Sequence, residues 1–288
     1  MAVDLHLHST RSDGTDRPAA IVAAGAAAGL AAIALTDHDT LDGIAEAEEA
    51  AARHGIRLIP GTELSVDGDE GPFHLLVYHL SPRGGPLQNR LRDIRQGRHE
   101  RNLRIVLALR NLGIEITYDE IAAEAVEGQV GRPHVAAVLV RKGVVPDLAT
   151  AFDRYLARGR PAYDERYRLD HREAVSLAVA SGAVPVVAHP HTLGVTAADY
   201  ERVLTGLAAD GVMGVEAHYA DYAPEVRRHL ARLAASLGMI ATGGSDYHGR
   251  YKPDLAVGTG RGDLAVPDEV VEHLDAARAT LPRGEIGQ

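Results

Sequence analysis

Strand-length apolar runs and helical stretches take turns along most of this chain, and that alternation restricts its fold more than any other feature. Residues 3–8 read as a strand, followed by a helix over about 17–29 with Pro18 in its first turn and Gly29 near its end. Residues 31–36 and 41–54 repeat the pair, and 56–64 and 73–79 are both strand-like. The pattern resumes with helix 171–181, strand 183–189, helix 197–209, strand 212–219, helix 224–237, strand 239–245 and helix 267–281. Such alternation calls for parallel strands joined by helices, hence an α/β barrel or a doubly wound sheet. From about Pro82 to Leu169 the periodicity is helical throughout, bracketed by Ser81-Pro82-Arg83-Gly84-Gly85 and a break near 159–161. The expected organisation is therefore an α/β unit made of residues 1–81 and 170–288, with 82–169 as a helical insertion.

With 288 residues, a chain buries roughly three-quarters of its extended surface and needs no covalent or metal staple to fold. Any metal site must therefore be explained by chemistry. The absence of Cys removes disulfide frameworks, thiolate zinc, iron–sulfur clusters and cysteine nucleophiles. No apolar run approaches the ~20 residues of a membrane span. Residues 21–35 are the most apolar, and they read as an Ala/Gly-rich helix running into a strand. A leader peptide is not expected, because Asp4, His6 and His8 arrive at once without a basic region before them. A cytoplasmic enzyme or binding protein is the expectation. The net charge of −10, with no Lys/Arg block, argues against a long duplex nucleic acid as partner. A short nucleotide at a local site remains allowed. Lys142 and Lys252 are the only lysines, and the Arg and Ala bias reads as genome composition.

Barrel enzymes carry their chemistry at the C-terminal ends of strands, where metal-ligand residue types recur in this chain. The first strand ends in His6-Leu7-His8 with Asp13 in the next loop, and the second in Asp37-His38-Asp39. Glu63 ends the third and His74 begins the fourth. Later strands end in His189-Pro190-His191, Glu216-Ala217-His218 and Asp246-Tyr247-His248. In a strand, residues two apart share a face, so His6 and His8 can meet one ion while Leu7 packs behind. Imidazole and carboxylate donors suit Zn²⁺, Mn²⁺ or Fe²⁺. A single histidine is more often a satisfied core or surface residue; six strand ends of this kind point to a shared metal site.

These residues resemble the PHP (polymerase and histidinol phosphatase) phosphoesterases. Asp4-Leu5-His6-Leu7-His8-Ser9 is similar to the first family motif and Thr36-Asp37-His38-Asp39 to the second. His189-Pro190 resembles the third and Ser245-Asp246-Tyr247-His248-Gly249 the fourth, with Gly61-Thr62-Glu63 and His74 in matching order. The resemblance implies a distorted (β/α)₇ barrel holding two or three divalent metal ions. It implies His6, His8, Glu63 and Asp246 around the first ion, and a bridging Glu63 with His74 and His189 around the second. Asp13, His38 and His248 would hold the third. The implied reaction is phosphate-ester hydrolysis by attack of a metal-bound hydroxide on phosphorus, with His191 and His218 as candidate proton donors to the leaving group. Asp37, Asp39 and Glu216 would orient imidazoles from behind. Tyr78 and Tyr247 read as packing residues.

Within the helical middle, Gly131-Arg132-Pro133-His134 resembles the bacterial subgroup that cleaves small nucleotide phosphates, such as the 3′-phosphate of nucleoside 3′,5′-bisphosphates. Arg132 offers a planar fork for phosphate oxygens and His134 a further donor; Pro133 is equally ordinary at a helix start. Asp164-Glu165 departs from a purely phosphate-binding wall. The expected partner is a small phosphorylated substrate, a nucleotide or short oligonucleotide. Sugar-phosphate, cyclic-phosphate or histidinol-phosphate hydrolysis on the same metals stays open, as does a non-catalytic barrel that binds a nucleotide or a protein. A polymerase-associated nuclease subunit is disfavoured by the length.

Overall fold

The computed structural model describes residues 2–125, 130–165 and 168–282. In chain order its strands are β1 (Ala2–Asp4), β2 (Ala32–Leu35), β3 (Arg57–Gly68), β4 (Gly71–Tyr78), β5 (Leu169–Asp170), β6 (Val184–Val187), β7 (Gly214–Tyr219), β8 (Ile240–Gly244) and β9 (Val266–Pro267). Its helices are α1 (Pro18–Ala27), α2 (Ile44–His54), α3 (Pro86–Asn111), α4 (Tyr118–Glu124), α5 (Arg132–Arg141), α6 (Leu148–Ala151), α7 (His171–Ala180), α8 (Tyr200–Ala209), α9 (Pro224–Ser236) and α10 (Glu269–Ala279).

Eight strands run in the order β8-β7-β6-β4-β3-β2-β1-β9 and nearly close a barrel. The chain beyond β1 supplies the closing bonds, Leu5 N–H to Gly243 O at 3.1 Å and Asp246 N–H to His6 O at 2.9 Å. The seven strands expected from the sequence are β1 to β4 and β6 to β8. All run parallel except β4, which is antiparallel to both β3 and β6. That reversal is the distortion of the (β/α)₇ barrel.

Strand alternation sorts the apolar residues. Ala32, Ala34, Leu76, Tyr78, Val184 and Val186 share one interior cluster. Their neighbours Ile33 and Leu35 pack outward on Ile21, Val22 and Ile44 of α1 and α2, and Leu75 and Val77 join the cluster under α7, α8 and α9. Tyr78 is fully buried and donates its hydroxyl to Leu5 O at 3.0 Å, a packing role as expected.

The insertion stretch folds as helices, with residues 126–129 and 166–167 lying outside those described. Its helix α3 spans 26 residues. Leu87, Leu91 and Ile94 of its first half pack into the barrel-side cluster, whereas Ile105 and Leu109 join a separate cluster with Ile121, Val135, Leu139 and Leu156. One helix thus anchors the helical layer to the barrel.

Three boundaries differ from the sequence reading. Strand β1 stops at Asp4 instead of running to residue 8. The buried Asp4 carboxylate accepts the N–H groups of His6 (3.3 Å), Ser245 (2.9 Å) and Gly258 (2.7 Å), so the His6 N–H is taken by a side chain. Strand β3 continues past Glu63 to Gly68 and turns directly into β4, which leaves Glu63 in mid-strand. The last helix starts at Glu269 because Val266 and Pro267 pair with β1 as β9. Asp4→Ala strands these buried donors and is expected to lower the unfolding free energy of metal-free protein by about 2–4 kcal/mol in urea titration.

Candidate metal centre

The nine residues singled out as ligands converge at one end of the barrel, and all but half-buried His74 are buried. Their donor atoms fall into overlapping groups: His6, His8 and Asp246; His6, Glu63 and His189; His38, Glu63 and His74; and His8, Asp13, His38 and His248. Glu63 is the hub. Its Oε1 lies 2.8 Å from His74 Nδ1 and 2.9 Å from His189 Nε2. Its Oε2 lies 3.1 to 3.3 Å from His8 Nε2, His6 Nε2 and His38 Nδ1. Asp246 Oδ1 stands 3.6 Å from His6 Nε2 and 3.4 Å from His8 Nε2, and those two nitrogens are 3.0 Å apart. Ligands about 2.1 Å from a tetrahedral ion stand about 3.4 Å from one another, so this spacing suits a divalent metal. Asp13 Oδ1 and His74 Nδ1 are buried without a well-aligned hydrogen bond, although the former lies 3.3 Å from His248 Nε2 and the latter 2.8 Å from Glu63 Oε1. Buried ligand atoms left in this state fit metal binding.

Electrostatics agree. Burial alone would raise the Asp13 and Glu63 carboxyls, yet the surrounding imidazoles hold both well below their ordinary range. Burial lowers His38 to about 4, favouring the neutral ring that binds metal.

Backbone and outer partners aim these side chains. Gly244 of β8 passes so close to residue 6 that a Cβ there would lie 2.4 Å from His6 N and Cβ. Asp39, His189 and Asp246 all take positive φ (53°, 20° and 53°), a backbone cost that clusters at functional sites. Glu216 accepts from His6 Nδ1 (2.9 Å) and from the backbone N–H of His189 (2.7 Å), fixing the first ring directly and the second through its backbone. His248 Nδ1 donates to Asp246 O at 2.9 Å, which turns its Nε2 toward Asp13, 3.3 Å away. Asp37 instead accepts from Ser9 and Ser12, the latter 3.5 Å from His8 Nδ1. Asp39 pairs with buried Arg98.

The substrate-side residues divide. His191 lies at the rim, its ring centroid 5.7 Å from that of His189, with backbone N and Nδ1 each 2.9 Å from the Tyr222 hydroxyl. His218 does not join the site. A bulge in β7 between Glu216 and His218 breaks the two-residue alternation. His218 therefore faces an outer cavity lined by Ala231, Ala235 and Met239, and the inward position passes to Tyr219, whose hydroxyl donates to Asp246 Oδ2 at 2.8 Å. His134 Nδ1 accepts the Gly131 N–H at 3.0 Å, capping α5. Arg132 donates to Leu156 O (3.0 Å) and lies 5.9 Å and 5.6 Å from the Phe152 and Tyr163 ring centres. Asp164 pairs with Arg104, and Glu165 lies 3.7 Å from Arg168. The Tyr247 hydroxyl bonds Asp16.

Arg98, Arg101, Tyr219 and Lys252 were not singled out from the sequence. Lys252 contacts the second oxygen of Asp246. Its rarity was the available signal. Among the described residues no helix is long and apolar enough to cross a membrane.

A PHP-domain family model matches residues 4–100. The 3′,5′-nucleoside bisphosphate phosphatase of Chromobacterium violaceum is 34% identical over 85% of this chain and 87% of its own. The 5′-3′ exoribonuclease of Haemophilus influenzae is 34% identical over 85% of this chain and 89% of its own. A crystal structure described as a metal-dependent phosphoesterase from Bifidobacterium adolescentis superimposes with a TM-score of 0.84 at 30% identity, covering 96% of both chains. Barrel and donor cluster together define a metal-dependent hydrolase of phosphoric ester bonds. The chain belongs to the PHP-domain family.

Asp246→Ala and His8→Ala are each expected to lower bound metal, measured by elemental analysis, and to cut phosphate release by about 10³-fold or more. Glu216→Gln keeps every ligand but loosens the His6 ring and the backbone at His189, and should weaken metal affinity by about 10–100-fold.

Proposed function

We propose that this phosphoesterase removes the 3′-phosphate of nucleoside 3′,5′-bisphosphates and related small nucleotides. The observation that carries this reading is a buried group of guanidinium side chains beside the metal centre. Arg98 and Arg101 are both buried with an Nε that has no partner. Burial, then the charges of Arg98 and Arg132, depress Arg101 to about 9. Crowded like charges that protein partners only partly satisfy suit a phosphate dianion. In this reading the scissile phosphate meets the metals while Arg98, Arg101, Arg132 and the free Nε2 of His134 hold the second phosphate. A two-point anion site of this kind favours a bisphosphate over sugar-phosphate and histidinol-phosphate esters.

The donor set suits Mn²⁺, Zn²⁺ or Fe²⁺, with His6, His8, Glu63 and Asp246 around one ion. Glu63, His74 and His189 would hold a second, and Asp13, His38 and His248 a third. When bound, such ions activate water for attack on phosphorus and neutralise charge on the phosphoryl oxygens. The protein's own part is orientation and proton delivery. Lys252 and Tyr219 steady the outer oxygen of Asp246, and Glu216 keeps His6 and His189 in register. His191, pinned through Nδ1 by Tyr222, presents Nε2 to the leaving alkoxide.

Phosphate release from a panel of a nucleoside 3′,5′-bisphosphate, a 5′-mononucleotide, histidinol phosphate and a cyclic sugar phosphate should favour the bisphosphate by about 100-fold in kcat/KM, or about 2.7 kcal/mol. Preference for another member would overturn the substrate. Arg101→Ala and Arg132→Ala should raise KM for the bisphosphate by about tenfold or more and spare substrates with one phosphate. His191→Gln should lower kcat on nucleotides by about 10²-fold, yet barely affect p-nitrophenyl phosphate, whose leaving group needs no proton.

A further inference from the structure

Lysine is nearly absent from this chain: among 30 Lys and Arg residues, only Lys142 and Lys252 are lysines. Lys142 pairs with Glu120 within the helical layer, 2.6 Å away. Lys252 follows shortly after His248, and the backbone brings it back to the ligand cluster. Gly249 makes this return possible. It takes a φ of 64° and passes so close to Thr15 that a Cβ there would lie 2.0 Å from Oγ1, a place that only glycine fills. The Lys252 N–H then donates to Gly249 O at 3.0 Å, and Lys252 O accepts the Leu255 N–H at 3.0 Å. The residue is thus held from both sides.

The ammonium contacts Asp246 Oδ2. That oxygen already accepts the Tyr219 hydroxyl at 2.8 Å, so orienting Asp246 does not require a second donor. The other oxygen faces His6 and His8. An arginine at this position would lay its planar fork across both oxygens and draw Oδ1 away from ligation. An ammonium is a point charge that serves one oxygen and leaves the other free, and it keeps two further N–H groups. The Lys252 side chain is 35% exposed against 6% for Asp246, which puts the cation on the solvent side of the cluster. The interior of the barrel is filled by apolar residues such as Leu5, Leu76 and Tyr78. An ester must therefore reach the donor set from the side where Lys252 stands. The charges of Asp246, Glu63 and Asp13 all act on this ammonium, so it lies close to every carboxylate of the donor set.

We propose that Lys252 is a phosphoryl-binding residue, which donates to a non-bridging oxygen of the scissile phosphate and holds the same oxygen in the released inorganic phosphate. The proposal rests on phosphate-ester hydrolysis at the metal centre and is independent of which ester is cleaved. Lys252 makes and breaks no covalent bond and keeps its proton throughout. Its contribution is electrostatic. The non-bridging oxygens carry much of the charge while the ester bond gives way, and a fixed cation beside them needs no reorganisation at that moment. The contact is to the group that all substrates share, which sets Lys252 apart from His191, whose target is the leaving alkoxide.

The test titrates inorganic phosphate by calorimetry into metal-loaded wild type, Lys252→Met and Tyr219→Phe. Bound metal is counted by elemental analysis, and turnover is followed on the bisphosphate and on p-nitrophenyl phosphate. Lys252→Met should keep its metal, because Tyr219 still holds Asp246. It should bind phosphate about 10–100-fold more weakly, the worth of one hydrogen bond to a charged group. Its kcat/KM should fall by a similar factor on both esters, whereas His191→Gln spares p-nitrophenyl phosphate. Tyr219→Phe should show the reverse pattern, with weaker metal binding and an unchanged phosphate affinity once metal is saturating. Metal loss in Lys252→Met, with phosphate affinity restored at saturating metal, would reduce Lys252 to a positioning residue for Asp246 and overturn the proposal. Unchanged phosphate affinity would overturn it as well, and so would a loss of turnover confined to the nucleotide. Failure to hydrolyse the bisphosphate would sink the substrate reading alone, since phosphate binding and p-nitrophenyl phosphate still decide on Lys252.

Discussion

Glu63 stands among five imidazoles, and its two oxygens divide them: one faces His74 and His189, the other His6, His8 and His38. A carboxylate this deeply buried is costly unless it is paired on every side. The cost fixes the geometry around it, because each ring must keep its nitrogen aimed inward for the charge to be tolerated. Strand β3 supplies Glu63 and pairs directly with β4, so His74 arrives from the neighbouring strand at a register set by backbone hydrogen bonds. The reversed direction of β4 is therefore part of how the centre is built. A strictly parallel barrel would bring a different end of that strand to the same height.

A buried ion pair joins the helical layer to this centre. Arg98 of α3 meets Asp39, which sits in a left-handed conformation beside His38. One helix thereby spans three environments: barrel wall, metal rim and the separate core of the insertion. A rigid connection of this sort lets residues distant in sequence address one substrate without a flexible hinge between them.

The sequence announced the barrel through its alternating periods, and the ligands through residue types repeated at strand ends. Both signals are local, and local signals survive without coordinates. What stayed hidden depended on register or on distant packing. The β7 bulge exchanges His218 for Tyr219, and nothing in Glu216-Ala217-His218-Tyr219 marks the extra residue. Arg98 and Arg101 lie in an arginine-rich helix whose bias resembled base composition, and only burial separates them from their exposed neighbours. Asp37 looked like a partner for imidazoles because of its position, yet its oxygens are taken by two serines. Strand β1 was overextended because the Asp4 carboxylate, not the ladder, receives the His6 N–H.

That carboxylate also ties the two ends of the chain together. Asp4 holds Ser245, 241 positions away, and Gly258, 254 positions away. Contacts of such separation are the slowest to form, since a long loop must close before they repay its entropy. On a ribosome, His6, His8 and Asp13 emerge first and must wait for nearly the whole polypeptide before Asp246 and His248 reach them. A chain released before His248 would carry only part of the donor set, so full metal uptake serves as a record that synthesis passed that residue.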